Sequence, residues 1–394
     1  MRLRTVRYAS AVTLVAAVLA GTAQAGTAVA APAPGSGGTG PGGPGHRATQ
    51  RALDDLVEEG VPGAVAQVRD RRGAWYGVAG TADLTTGRER RAPDRFRVGS
   101  LTKTFVATVV LQLEAEGRIG LDDTVESLLP GVVRGNGNDG RAVTVRQLLN
   151  HTSGLFSYTA DPEFRDRIFT EKFLVHRYET WTPRQLADLA LTHRPDFAPG
   201  TGWKYSNTNY VLAGMIVEKV TGRPYADEVE RRILRPLGLR ATSLPGTAVR
   251  LPMPSGRAYA VLSADPVPKV EDVTELNPSV AGAAGEMISN TADLNTFVSA
   301  LLRGELLPAR QLAEMRETVS VTDGKPNTSG PGYGLGLMRL ELSCGKEVWG
   351  HDGEIHGSQS SAVTTEDGRH ALALNFNGDW AGDIQKVNDA EFCG

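Results

Sequence analysis

The chain has 394 residues, of which 40% are hydrophobic and 22% are charged, and its formal net charge is −3 with neutral histidines. This length and composition are typical of a globular protein with one large domain or two intertwined ones. The sequence has no basic stripe of the kind that binds nucleic acid, so we expect no nucleic-acid partner.

Residues 1–30 are predicted to form a secretory signal peptide. Three arginines precede an apolar run at 11–20, and small residues then offer cleavage sites after Ala25 or Ala30. The apolar run is too short for a transmembrane anchor. No later stretch of the sequence is long and apolar enough to cross a bilayer, so we expect a secreted, extracellular protein with no stable membrane anchor.

The segment 31–46 is rich in glycine and proline and is predicted to be a flexible linker, followed by one folded unit over 47–394. Helix and strand signals at the start of this unit resemble those at its end, and the residues between them, about 121–240, are mostly helical. We therefore predict an α/β (α+β) fold. An antiparallel sheet is flanked by the N- and C-terminal helices and carries an inserted all-helical domain.

The individual predictions, in chain order, are a helix around Leu53–Val57, strands at 64–69 and 74–79, a buried helix at 106–113, helices after the caps Thr144 and Thr182, a helix at 210–220, strands at 334–341, 346–349, 359–364 and 370–375, and a helix at 384–392.

Ser100 and Lys103 form an S-x-x-K pair at the start of the buried helix. Positions i and i+3 lie on one face of a helix, so the lysine amine is expected beside the serine hydroxyl. The chain has 8 lysines and 34 arginines, and an arginine cannot act as a base. A nucleophile with its base is one interpretation; an N-cap serine with a solvated lysine is the other. The same pattern also occurs at Ser343 and Lys346.

Tyr205 and Asn207 form the only Y-x-N in the sequence. A loop is expected to place both side chains on one side, where the phenol can relay a proton and the amide can bind a carbonyl and a lysine together. The alternative is an ordinary turn and helix cap ahead of the helix at 210–220.

His351 and Gly353 are predicted at a strand edge, where a glycine lets a ligand backbone approach closely. A metal site of His351, Glu354 and His356 is the alternative interpretation. Its spacing matches no standard zinc pattern, and successive strand positions point to opposite faces, so no metal is predicted.

Cys344 and Cys393 are the only cysteines of the chain. An even count in an exported protein favours a disulfide over two free thiols. A loop of this size would stabilise the fold by roughly 3–4 kcal/mol.

The order S-x-x-K, Y-x-N, H-x-G resembles the serine β-lactamase and penicillin-binding superfamily, most closely the secreted D-alanyl-D-alanine carboxypeptidases of actinomycetes and the class C β-lactamases. The likeness extends over nearly all of 47–394 and includes the phrases at 94–103, 146–155, 198–200, 205–210 and 333–337, together with the Cys344–Cys393 pair.

This resemblance implies roles for the motif residues. Ser100 is the acylated nucleophile, Lys103 helps to deprotonate it, and Tyr205 passes the proton to the leaving group. Asn207 orients the lysine and the substrate.

The resemblance also assigns the strand motif. His351 and Gly353 line the strand along which the substrate lies, and the backbone N–H groups of Ser100 and Glu354 form the oxyanion hole. No metal or cofactor is required.

The resemblance therefore predicts a serine hydrolase that works through an acyl-enzyme, in the first place a D-alanyl-D-alanine carboxypeptidase-like peptidase. The alternative is a D-aminopeptidase, amidase or esterase of the same fold that needs no substrate carboxylate. A β-lactamase and a non-catalytic penicillin-binding sensor rank below these. Small peptides, amides or esters and possible β-lactams are the expected substrates, and we expect a monomer.

The chain departs from the carboxypeptidases where they hold the terminal carboxylate of the substrate with an arginine and two threonines. Here those places are held by Met338, Asp352 and Glu354, while Arg339 falls on the opposite face by one strand step. A carboxylate facing a bound carboxylate disfavours it by roughly 1 kcal/mol or more. Unless Asp352 and Glu354 turn outward, the site is predicted to prefer a neutral or cationic leaving group. Phe164 is a further predicted substrate contact.

Overall fold

Both ends of the chain contribute strands to one large sheet. The structure, a computed structural model, describes residues 44–263 and 269–394, so the predicted signal peptide and most of the predicted linker lie outside the described residues. The strands are β1 Gly63–Asp70, β2 Gly73–Asp83, β3 Arg88–Glu89, β4 Phe96–Arg97, β5 Arg134–Gly135, β6 Asn138–Asp139, β7 Tyr259–Val261, β8 Val270–Asp272, β9 Ile288–Ser289, β10 Thr318–Ser320, β11 Pro326–Asn327, β12 Gly332–Tyr333, β13 Met338–Glu341, β14 Glu347–Ile355, β15 Ser358–Thr364 and β16 Ala371–Phe376.

Ten strands form a single sheet in the order β11-β10-β12-β13-β14-β15-β16-β1-β2-β3, and the pairs within it are antiparallel. The N-terminal strand β1 pairs with the C-terminal strand β16, with Val65 opposite Asn375. Both strands consist almost wholly of buried residues. Such strands need cover on both faces, and helices provide it.

The helices are α1 Arg47–Glu58, α2 Thr102–Ala115, α3 Val125–Leu128, α4 Val145–Leu149, α5 Pro162–Ile168, α6 Phe173–His176, α7 Pro183–Leu191, α8 Asn207–Thr221, α9 Tyr225–Val229, α10 Arg235–Leu237, α11 Thr291–Leu302, α12 Ala309–Arg316 and α13 Ile384–Phe392. Helices α1 and α13 pack together over one face of the sheet, around a core that includes Leu53, Leu56 and Phe376. Helix α11 packs on the other face against β1, β15 and β16.

The predicted mixed α/β fold with a large antiparallel sheet is confirmed. Between β4 and β7 the described chain is mostly helical, with α2 to α10 interrupted only by the short β5–β6 pair. Helix α2 is buried on nearly every side, because it lies between the sheet and the helices α8 and α12. No helix in the described ranges has the length and apolar character needed to cross a bilayer.

The predicted strand at 334–341 is wrong in its first half. The structure ends β12 at Tyr333 and begins β13 at Met338. Between them the chain turns, since Gly334 N donates to Leu337 O at 2.8 Å and Leu335 N donates to Met315 O at 3.1 Å. The alternation of glycine and apolar residues matched a strand, but a contact with helix α12 decides the conformation.

The folded part also begins earlier than predicted. Pro44–His46 form a turn of 3₁₀ helix ahead of α1, and His46 is only 8% exposed. Its Nδ1 lies 3.0 Å from Glu391 Oε2, so the start of the folded chain is fastened to the last helix. Nearby, Cys344 and Cys393 form a disulfide with a Cα–Cα distance of 5.8 Å.

Candidate active site

A short turn leads straight into helix α2 and carries Ser100. Gly99–Leu101 form this 3₁₀ turn, and Thr102 fixes it, because its hydroxyl donates to Gly99 O at 2.8 Å and accepts from Met287 N at 3.1 Å. Gly99 has a φ of +54°, and a Cβ there would lie 2.6 Å from Glu354 O. Only glycine allows strand β14 to lie this close to the turn.

Lys103 sits in the first turn of α2 and is fully buried. Its Nζ lies 2.9 Å from Ser100 Oγ, 2.8 Å from Asn207 Oδ1 and 2.7 Å from Ala284 O. Burial lowers the pKa of Lys103 well below its usual value. The buried amine is therefore held in its uncharged form far more readily than a lysine in water.

The partners of Lys103 orient this uncharged amine. A neutral amine has two hydrogens and one lone pair, and the oxygens of Asn207 and Ala284 can only accept hydrogen bonds. They take the two hydrogens, which leaves the lone pair directed at the hydroxyl of Ser100. In this arrangement Ser100 donates to Lys103, as a serine activated by a general base requires.

Asn207 is the first residue of helix α8 and does not lie in a loop as predicted. Its backbone N donates to Ser157 Oγ at 3.1 Å, and its Nδ2 donates to Thr159 Oγ1 at 3.1 Å. The second bond turns Oδ1 toward Lys103. Helix α8 and the Ser157–Thr159 segment thus set the amide orientation that the amine needs.

Tyr205 lies directly over Lys103, with its ring centroid 4.8 Å from Nζ. Its hydroxyl is buried and makes no hydrogen bond in the structure. Burial raises the pKa of Tyr205, and the nearby Ser100 hydroxyl offsets this only in part. Tyr205 is therefore a protonated phenol in the resting site, able to donate a proton but poorly suited to remove one.

The second half of β14 runs along the Ser100 turn. Strand β13 pairs with β14 only as far as Gly350, so the following residues have one edge free of strand partners. A Cβ at Gly353 would lie 1.9 Å from Val98 O and 3.0 Å from Ser100 N. The close approach that Gly353 permits puts the backbones of Ser100 and Glu354 side by side, as the predicted oxyanion hole requires.

His351 faces this site as a neutral ring. Its Nδ1 donates to Asp352 O at 2.5 Å, and Tyr333 Oη donates to its Nε2 at 2.8 Å. Burial, with a smaller contribution from the charge of Lys103, lowers the pKa of His351 to about 3. His351 therefore adds no second cation beside Lys103, and burial alone accounts for the lowered pKa of the amine.

A pocket opens beside the nucleophile. Its apolar wall includes Tyr158, Phe164 and Ile168, and the pocket reaches Ser100 and Glu354. Phe164 thus lies where a substrate contact was predicted.

Of the other predicted substrate contacts, Glu354 lies at the pocket and Met338 and Asp352 do not. Glu354 is exposed at the pocket rim, and partial burial raises the pKa of its carboxyl. Asp352 lies opposite Ser361 on β15 and Met338 lies opposite Gly350. Alternation along β14 points Asp352 to the other side of the strand from Gly353, and burial raises its pKa to about 6. Neither Met338 nor Asp352 lines the pocket.

The second S-x-x-K pattern has a structural role. Ser343 and Lys346 lie in the turn between β13 and β14, where Ser343 N donates to Asp389 Oδ1 at 3.0 Å and Lys346 Nζ donates to Phe392 O at 2.6 Å. Both bonds hold helix α13. Among residues 44–263 and 269–394, no group of three His, Cys, Asp or Glu side chains is arranged to hold a metal ion.

Sequence reasoning missed three contributors to the site. Ala284 supplies only a backbone oxygen, which leaves no mark in the sequence. Tyr333 and His151 are buried beside Tyr205, with ring centroids 6.1 Å and 4.2 Å from its ring. His151 does lie within the phrase at 146–155 that resembles the superfamily, and this phrase was the available signal.

Comparison with known proteins places the chain in a family. A family model described as Beta-lactamase matches residues 49–390. The crystal structure of a D-stereospecific amidohydrolase from Streptomyces sp. is 62% identical in sequence, with a TM-score of 0.84, covering 89% of this chain and 99% of that one. D-amino acid amidase from Ochrobactrum anthropi SV3, solved with L-phenylalanine amide, is 32% identical with a TM-score of 0.73, covering 87% and 95%. Penicillin-binding protein 4 of Amycolatopsis lactamdurans is 28% identical over 343 residues, 84% of this chain and 85% of that protein. The chain therefore belongs to the beta-lactamase family and is a serine hydrolase of that fold.

Proposed function

We propose that this protein is a D-stereoselective amidase and esterase that cleaves small amides and esters of D-amino acids through an acyl-enzyme on Ser100. The observation that carries the proposal is the position of the buried Lys103 amine, whose Nζ lies 2.9 Å from Ser100 Oγ and is held there by Asn207 Oδ1 and Ala284 O. The preference for D-amino acids and for amides is supported by the similarity to the D-stereospecific amidohydrolase and the D-amino acid amidase.

Acylation follows from this arrangement. Lys103 takes the hydroxyl proton as Ser100 Oγ attacks the carbonyl carbon, and the N–H groups of Ser100 and Glu354 stabilise the oxyanion. Tyr205 donates its phenolic proton to the leaving amine or alkoxide, and Lys103 returns the serine proton to Tyr205. The bond to the leaving group breaks, and an ester of Ser100 remains.

Deacylation reverses the proton path. A water molecule gives a proton to Tyr205, and Tyr205 at the same time gives its phenolic proton to Lys103, as the water oxygen attacks the ester carbonyl. The same two N–H groups hold the oxyanion, and Lys103 then carries the proton that Ser100 needs. The collapse of this intermediate breaks the ester bond, returns the proton to Ser100 Oγ and releases the free acid. The resting enzyme is restored with no net change in protons beyond those of hydrolysis.

The pocket supports a neutral leaving group over a free carboxylate. Glu354 stands at the rim, where its carboxylate repels a second carboxylate by roughly 1 kcal/mol or more. The apolar wall of Tyr158, Phe164 and Ile168 suits an apolar or aromatic acyl side chain. These features favour an amide or ester over a peptide that ends in a free D-alanine, and so the amidase interpretation over the carboxypeptidase one.

The proposal is tested by kcat/KM for four substrates, namely D-phenylalanine amide, L-phenylalanine amide, a peptide ending in D-Ala-D-Ala and its C-terminal amide. We expect the D-amide to exceed the L-amide, and the peptide amide to exceed the peptide acid. Ser100→Ala should remove all activity while the melting temperature stays close to the wild-type value. A clear preference for the free acid restores the carboxypeptidase, and normal turnover by the Ser100→Ala variant rules out the acyl-enzyme.

A further inference from the structure

His151 occupies an unusual place behind the catalytic tyrosine. It follows helix α4 with a φ of +63°, a left-handed conformation that costs a non-glycine residue about 1–2 kcal/mol. Its ring is fully buried. A strained backbone around a buried imidazole persists only where surrounding contacts demand it, and such strain is concentrated at functional sites.

Those contacts all reach the segment that carries Tyr205 and Asn207. Ser206 N donates to His151 Nδ1 at 3.2 Å, and Asn209 Nδ2 lies 3.1 Å from the same nitrogen. On the backbone, Lys204 N donates to His151 O at 3.2 Å. One residue therefore holds the chain before, between and after the two motif side chains.

The tautomer of His151 follows from its partners. Asn209 Oδ1 accepts from Ser153 Oγ at 2.7 Å, which leaves the NH₂ group of Asn209 facing the imidazole. Nδ1 thus receives two N–H donors and carries no hydrogen, so the proton of the neutral ring is on Nε2. Burial lowers the pKa of His151 well below its usual value. A protonated ring would place a third N–H against the two donors.

The ring also packs directly against the catalytic tyrosine. The His151 and Tyr205 centroids are 4.2 Å apart, and those of His151 and Tyr333 are 4.7 Å apart. Tyr333 in turn donates to His351. His151 therefore packs against both Tyr205 and Tyr333, whose own ring centroids are 6.1 Å apart.

We propose that His151 is a positioning residue whose uncharged ring fixes Tyr205 and Asn207 against Ser100 and Lys103. It touches no reacting atom and acts through the Ser206 and Asn209 hydrogen bonds and the stack on Tyr205. The inference rests on the proposed acyl-enzyme function, since Tyr205 and Asn207 matter only if Ser100 is acylated.

Two variants separate the hydrogen bonds from the ring. His151→Asn keeps an acceptor near the place of Nδ1 and suits a left-handed backbone, but it loses the ring. His151→Phe keeps the ring volume and loses the acceptor. The rate of Ser100 acylation is measured by the burst with a p-nitrophenyl ester, together with kcat and KM for D-phenylalanine amide and the pH dependence of kcat/KM.

We expect His151→Phe to lose tenfold to a hundredfold in acylation rate and kcat with little change in KM, as misplaced catalytic groups do. The acid limb of its pH profile should move to lower pH, because Asn207 Oδ1 accepts a hydrogen bond that stabilises the charged form of Lys103, and a displaced Asn207 no longer does so. His151→Asn should recover most of the rate. If both variants lose melting temperature but acylate at the wild-type rate, or if both lose the same rate, the positioning role is wrong.

A second measurement uses the folded wild-type enzyme and stays informative if His151→Phe does not fold. Ring-nitrogen chemical shifts of selectively labelled histidines report the tautomer, with His151 assigned by its absence in His151→Asn. We expect a neutral ring with hydrogen on Nε2 at every pH from about 5.5 to 8.5, since its pKa is lowered. A ring that titrates in this range, or carries hydrogen on Nδ1, overturns the inference. A wild-type enzyme that hydrolyses neither the p-nitrophenyl ester nor D-phenylalanine amide instead refutes the proposed function.

Discussion

Lys103 shows how one buried residue is made into a base. An ammonium with no carboxylate partner is costly in an apolar interior, so the group loses its proton and its pKa falls. The side-chain carbonyl of Asn207 and the backbone carbonyl of Ala284 then fix the direction of its lone pair. The sequence predicted the pairing of Lys103 with Ser100, but not Ala284, because a backbone acceptor is set by the path of the chain and not by residue type.

Lys103→Arg should therefore abolish acylation, by roughly a thousandfold or more, since an arginine stays protonated at working pH. The burst with a p-nitrophenyl ester measures this. For the wild type, kcat/KM should rise with pH as Lys103 loses its proton and level off above its lowered pKa. Lys103→Arg should show no such rise.

A control distinguishes the loss of the base from a loss of structure. The melting temperatures of Lys103→Arg and Ser100→Ala should be compared with the wild type. If Lys103→Arg is folded and still acylates within tenfold of the wild type, the amine is only a structural charge.

At the scale of elements, the sequence predicted the helices whose start is marked by a local capping motif. Thr144 and Thr182 each close a capping box, and the helices α4 and α7 begin where these caps place them. Strand β14 was predicted only over 346–349, yet it continues to Ile355. Its polar residues after Gly350 resemble a turn, but pairing with β15 along one edge and packing of the Ser100 turn along the other keep them extended.

The turn after β14 holds the pocket wall through His356. Its ring stacks on Phe173 at 4.0 Å between centroids and on Phe169 at 5.3 Å, and its Nε2 donates to Ile168 O at 2.7 Å. Burial lowers the pKa of His356 to about 4. The helices α5 and α6 are thereby joined to the strand that supplies the proposed oxyanion hole.

This contact predicts a pH effect on stability. The folded pKa of His356 lies below the unfolded value, so as pH falls through about 6.5 toward 4 the unfolded chain takes up the proton first and the free energy of unfolding decreases, by about 2 kcal/mol at pH 5. His356→Gln keeps a donor toward Ile168 and does not titrate.

The free energies of unfolding of the wild type and His356→Gln are measured by denaturant at pH 7.5 and pH 5. Between these two pH values, the wild type should lose more unfolding free energy than His356→Gln. Comparing the two proteins cancels the other titrating groups. An equal difference at both pH values would show that folding does not lower the pKa of His356.

At the scale of the whole molecule, the fold and the motif residues could be predicted because the resemblance extends over nearly the whole folded unit. His151 and Tyr333 were missed because their contacts join residues far apart in the sequence and follow no local period. The signal peptide, secretion and the monomeric state stay predictions.

The disulfide belongs to this scale, because it ties the β13–β14 turn to the last helix across 49 residues. Replacing both Cys344 and Cys393 by serine should reduce stability by about 4 kcal/mol and the melting temperature by about 5 °C. The bridge lies on the helix α13 side of the sheet, so kcat at 20 °C should stay within about twofold of the wild type. Calorimetry and steady-state kinetics check both values, and a large loss of kcat would show that the bridge shapes the site.

The pairing of β1 with β16 means that the central sheet can be completed only after almost the whole chain has been synthesised. A nascent chain that has released β1, the Ser100 turn and every helix as far as α12 still lacks β14, and with it the second half of the proposed oxyanion hole. The β1–β16 pair joins residues about 300 positions apart, so it forms late and slowly. Ser100 is made early in synthesis, but strand β14 follows only near the end of the chain, so we expect a chain that ends before β14 to lack hydrolase activity.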